Sequence, residues 1–195
     1  ITSPVFAQHD NHGGGALSAE QVGTVDFQTS CSPTLKADMN RAVALLHSFW
    51  FDEAIRTFND VAAKDPKCGI SQWGVALAMW GNVLATGPQQ PGITAALAAI
   101  DKGRTMGTGS ERERDYLEAV AAFYNGAPAA DARTRKVAYE KAMEKLSAKY
   151  PDDTEATTST RDQGPAGVAT DPISGATLPG PDSYKGCRIM RPSET

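Results

Sequence analysis

Phe51-Asp52-Glu53-Ala54-Ile55-Arg56-Thr57-Phe58, running on to Asp65-Pro66, is the stretch on which the fold turns. Phe51, Ala54, Phe58 and Ala62 recur at helical spacing, so the segment reads as an amphipathic helix. Asp52 and Glu53 stand at its start, where carboxylates meet the helix dipole favourably. Asp65-Pro66 stops it, because proline cannot continue the hydrogen-bond ladder. Just upstream, Leu35, Met39, Ala42, Val43, Leu46 and Phe49 or Trp50 keep the same spacing. Ser32 and Pro33 sit where an N-cap and a first helical residue belong. Two helices joined by so few residues predict a helix hairpin.

The pattern repeats downstream. Trp73, Leu77, Trp80 and Leu84 make one stripe, with Gly74 and Gly81 on another side. Each glycine costs a helix about 1 kcal/mol relative to alanine, so close packing against a neighbouring backbone is the expected compensation. The turn Gly87-Pro88-Gln89-Gln90-Pro91-Gly92 separates this helix from one over Ile93–Met106. Ser110 with Glu113 forms a capping box ahead of Tyr116, Val120 and Phe123. After Gly126-Ala127-Pro128, a helix from Ala132 ends near Tyr150 at Pro151. Residues 68–100 carry no charged side chain. Ser71, Gln72, Asn82 and the Gly/Pro-rich turn interrupt that run too early for a membrane span, which needs about 20 apolar residues. It is expected to be the middle of a stack, covered on both sides.

Helix pairs repeating every 30 to 45 residues or so are the mark of a helical solenoid. Phe51, Ala54, Phe58 and Pro66 resemble the second half of a tetratricopeptide repeat, which sets an aromatic and a small residue, then another aromatic and a closing proline, in that order. Trp73-Gly74 with Leu77 resembles the first helix of the next unit. Tyr139, Ala142, Leu146 and Pro151 weakly echo the closing half, and Pro151–Ala156 resembles a link into a further repeat. Leu45–Phe51 together with Trp73-Gly74 and Trp80-Gly81-Asn82 is similar to exported bacterial tetratricopeptide proteins. The resemblance covers residues 31–156. It implies an all-α, short α-solenoid of about three helix hairpins, with side chains of the first helix of each pair facing a partner. Asn40, His47 and Asn82 are the polar candidates for that contact.

The two ends read differently from the middle. Residues 1–30 carry three acids and no base, and Val5-Phe6-Ala7 before Gln8 fits the end of a secretory signal; the segment is expected to be flexible. An ordinary flexible terminus reads the same. Residues 157–195 are rich in Thr, Ser, Gly and Pro and cannot bury enough apolar surface to order themselves. Where another helix is due, Thr157-Thr158-Ser159-Thr160 breaks the period. A solenoid needs a polar-faced last helix, so the tail reads either as foreign sequence, truncated or frame-shifted, or as natural low complexity. The first alternative leaves an apolar face open to self-association.

Export makes a bridge between Cys31 and Cys68 attractive, since the two ends of a helix hairpin come together; two free thiols are the alternative. The bridge would contribute about 3–4 kcal/mol by loop closure. Cys187 is left over. His9, Asp10 and His12 offer weak ligands for copper, nickel or zinc. Trp50, Trp73 and Trp80 read as core first and as an aromatic groove second. Across the 195 residues, 19 basic against 23 acidic side chains leave a net charge of −4, which argues against a nucleic-acid binder. No nucleophile elbow, phosphate loop, zinc-protease motif or dinucleotide fingerprint occurs. The expectation is a non-enzymatic protein- or peptide-binding scaffold, without cofactor or membrane insertion, in the periplasm or secreted. The alternative is an exported copper- or zinc-handling protein using His9 and His12.

Overall fold

The computed structural model describes residues 22–81, 87–126 and 130–157. Every regular element among them is helical. A 3-10 turn at Pro33–Leu35 leads into α1 (Lys36–His47), followed by α2 (Phe51–Lys64), α3 (Ser71–Trp80), α4 (Gln90–Met106), α5 (Glu111–Tyr124) and α6 (Ala132–Lys149). Consecutive helices pair as three hairpins, α1/α2, α3/α4 and α5/α6. The hairpins stack because α3 packs on α2 and also meets α1, while α5 meets both α3 and α4. The first helices of the three pairs therefore share one layer. The chain is all-α, a short stack of helix hairpins.

α3 explains the uncharged run. It is buried from Ser71 through Ala76, with Trp73 wholly inside. Phe58 and Tyr116 meet the Trp73 ring edge-on from α2 and α5, at 6.4 and 5.3 Å. Trp80 stacks on Phe123 at 3.7 Å and receives Tyr139 at 5.1 Å. Burying a large apolar side chain contributes about 1.5–3 kcal/mol, so these two tryptophans anchor the joints between hairpins. Gly74 is where two helices touch: a Cβ there would lie 2.2 Å from the Phe58 ring.

Several local expectations change. Gly81 is no packing glycine; it ends α3 with φ +74°, and a Cβ would meet nothing within 4 Å. Leu84 and Asn82 lie outside the described residues. Pro91 and Gly92 belong to the first turn of α4, where proline's missing N–H costs nothing. Ser32 caps no backbone group with its side chain, and Pro33 opens the 3-10 turn instead. Phe49 and Trp50 leave the apolar stripe and are 65% and 50% exposed, Phe49 with φ +63°. The tight α1–α2 turn swings them outward.

Cys31 and Cys68 are joined, with their Cα atoms 4.8 Å apart. The bridge fastens the entry of α1 to the segment that starts α3. At the far end, α6 sets charged residues outward, and Val137 is the one large apolar side chain that it exposes among the described residues. Among the described residues, that charged surface closes the stack as a polar-faced last helix would.

Candidate functional site

The layer formed by α1, α3 and α5 is where the sequence reading sets a partner. In the structure two stretches of the chain itself, residues 22–30 and 151–157, lie across it. Residues 22–30, expected to be flexible, instead run over all three helices. For this stretch the expectation fails because its contacts are non-local. Phe27 is 2% exposed; it stacks on Trp73 of α3 at 5.2 Å and edge-on to Tyr116 of α5 at 5.6 Å. Its backbone N–H donates to Asn40 Oδ1 of α1 at 2.9 Å. Asp26 pairs with Lys36 at 2.9 Å on the exposed rim, and the Lys36 ammonium holds its carboxyl below the ordinary aspartate value.

Glu113 locks the other end of this segment. Ser110 Oγ accepts the Glu113 N–H at 3.2 Å, as the capping box predicts. The Glu113 carboxylate, however, turns away and accepts from Gly109 N at 3.0 Å, from Ser30 Oγ at 2.7 Å and from Ser30 N. It is 1% exposed. A buried carboxylate is tolerable only when hydrogen-bonded, and Ser30 supplies two of its donors. Gly109 allows the approach, since a Cβ there would lie 2.1 Å from Ser30 Oγ.

Arg112 joins residues 22–30 to residues 151–157. Its guanidinium lies 5.0 Å from the Phe27 ring centroid and 4.9 Å from that of Tyr116. Nη1 donates to the Gln28 carbonyl at 2.7 Å, and Nε donates to Asp153 at 2.5 Å. Burial works against the Arg112 charge, but Asp153 and Tyr116 together hold its pKa above the ordinary value. Asp153 also accepts from Tyr116 Oη at 2.9 Å. Burial, with that carboxylate alongside, pushes the Tyr116 phenol well above its usual range. The second oxygen of Asp153 accepts the N–H groups of Glu155 and Ala156 at 3.1 and 3.3 Å, which starts a helical turn over 154–157. His47, at the end of α1, contacts both Glu155 carboxylate oxygens at 3.0 Å.

Two of the three nominated contact residues thus serve the chain itself: Asn40 holds residues 22–30 and His47 holds the 154–157 turn. Asn82 lies outside the described residues, as do His9, Asp10 and His12. Among the described residues no group of His, Cys, Asp or Glu is placed to hold a metal ion, and no helix is long and apolar enough to cross a membrane. A cleft of about 320 Å³ opens between residues 22–25 and the Ala37, Asn40, Arg41 and Ala44 side of α1.

Phe27 was not singled out from sequence, and Arg112, Glu113 and Asp153 read there only as capping or surface charges. One signal for Phe27 was there. It is the only aromatic residue between Gln8 and Cys31, and Cys31 is tethered. Four residues of chain reach about 14 Å at most, so Phe27 has to land near the bridge. Family models, curated proteins and solved structures contain no match to this chain.

Proposed function

We propose that the chain is a protein- or peptide-binding scaffold, tetratricopeptide-like in its helix pairing, that takes an extended segment of a partner across the layer of α1, α3 and α5. One observation carries this reading: a stretch of the chain's own sequence outside any helix, residues 23–30, already lies across that layer and is held by all three helices. Backbone groups of the stretch are taken up by Asn40 and Arg112, a mode of recognition that works for many sequences. The Cys31–Cys68 bridge supports a periplasmic or secreted setting, where disulfides persist.

The test is a random peptide library displayed against the intact chain and against its Phe27→Ala variant, with hydrogen–deuterium exchange on the enriched complexes. New protection of α1, α3 and α5 amides is the expected result. Enriched peptides that protect only α2, α4 and α6, or a selection that enriches nothing, would defeat the reading.

A further inference from the structure

Residues 26–30 show more than occupancy: they show what the layer reads. Phe27 fills an aromatic box made by Trp73, Tyr116 and the Arg112 guanidinium. Such a box holds a flat ring through offset stacking, edge contacts and cation–π attraction, together worth more than area alone. Three residues on, Glu113 demands donors. Ser30 meets that demand with a hydroxyl and an N–H. Between them, Gln28 has an exposed side chain that reaches back only to Asp26, while its carbonyl is taken by Arg112. Ahead of the ring, Asp26 faces Lys36 on a rim where both side chains are more than half exposed, so this pair adds orientation and little energy.

We infer that residues 26–30 are a built-in stand-in for the partner, and that the partner segment is an extended peptide of the pattern acidic–Phe–x–x–Ser. The inference rests on the scaffold reading above and adds the sequence class of its ligand. Phe is the anchor, the serine hydroxyl is the selector and the leading acid sets direction. Phosphorylation of that serine abolishes recognition, because a dianion cannot sit against the buried Glu113 carboxylate. The tethered copy competes at an effective concentration in the millimolar range. A free peptide therefore binds the resting chain weakly and binds tightly once the tether is loosened.

The experiment uses a fluorescent peptide of residues 22–30 and the full chain, with its disulfide intact. Two opened variants are compared with the unaltered chain: Phe27→Ala, which empties the box, and Ser30→Asp, which sets a like charge against Glu113 and loosens residues 26–30 with Phe27 itself unaltered. Circular dichroism identifies the folded variants. The expected result is at least tenfold tighter binding by a folded opened variant than by the unaltered chain. That gain is lost when the peptide carries Ala at the Phe27 position or phosphoserine at the Ser30 position. If an opened variant binds extended peptides equally well without Phe or Ser, the pattern is overturned and the scaffold reading survives. If no opened variant binds any peptide, or if both variants unfold and the unaltered chain at millimolar peptide shows no shift, residues 26–30 are fixed core and both readings fall.

Discussion

Replacing Asp153 by alanine probes the point where the stretch before α1 meets the stretch after α6. Its carboxylate is 8% exposed and pairs with Arg112, itself 20% exposed. The substitution removes a charge-assisted hydrogen bond, worth about 1.5–3 kcal/mol, and an N-cap for the 154–157 turn, worth about 1 kcal/mol. It also leaves the Tyr116 hydroxyl without its acceptor. Because these terms share one side chain they overlap, and the expected total is about 3–4 kcal/mol. In a body of this size that lowers Tm by roughly 10 °C. Urea unfolding followed by far-ultraviolet circular dichroism at pH 7 measures the loss, and Arg112→Met with the double variant completes a cycle. The double variant should cost clearly less than the sum, with a coupling of about 2 kcal/mol. A loss below 1 kcal/mol, or strict additivity, would show that the Arg112–Asp153 contact does not hold the two stretches together.

Reducing the Cys31–Cys68 bridge, or replacing both cysteines by serine, should lower the unfolding free energy by about 3–4 kcal/mol, read from urea midpoints with and without reductant. Gly69→Ala should cost about 3 kcal/mol or more, since the new Cβ would lie 2.1 Å from the Gly107 carbonyl oxygen, a backbone atom that cannot step aside; a loss near that of an ordinary surface substitution removes the contact. Burial raises the phenols of Tyr116 and Tyr124. Both stay protonated in the folded chain while unfolded tyrosine ionises above about pH 10. Stability is therefore unaffected by them below that value and falls as pH rises past it, by up to about 1.4 kcal/mol per pH unit for each. A flat alkaline profile that Tyr124→Phe leaves unchanged counts against this. Phe49→Gly should stabilise by about 1 kcal/mol, because the left-handed backbone at φ +63° disfavours a side chain; thermal melts decide the sign.

What the residues disclosed before the structure was local in character. Phe51–Lys64 and Glu111–Tyr124 begin where their sequence signals put them, because capping and amphipathic period act within a few residues. A close neighbour at Gly74 was legible for the same reason, although it is the Phe58 ring and not the backbone that was expected. The candidate site was less legible. The contact of Ser30 with Glu113 spans 83 positions and that of His47 with Glu155 spans 108. No periodicity links such distant partners. Residues 22–30 contain too little apolar surface to order on their own, so composition marked them as loose. Trp73 and Tyr116 supply the missing surface from elsewhere. The capping box shows both sides at once. Its backbone half holds, and its carboxylate half was drawn away by a donor that only the folded chain brings near.

The junction at Arg112 also bears on how the molecule comes apart. A pile of repeats ordinarily loosens from its outermost layers, each held by one neighbour alone. Here a single guanidinium clasps the stretch ahead of the first hairpin to the stretch behind the third. Fraying of either terminal layer therefore has to give up a contact of Arg112 as well as the contacts with its single neighbour.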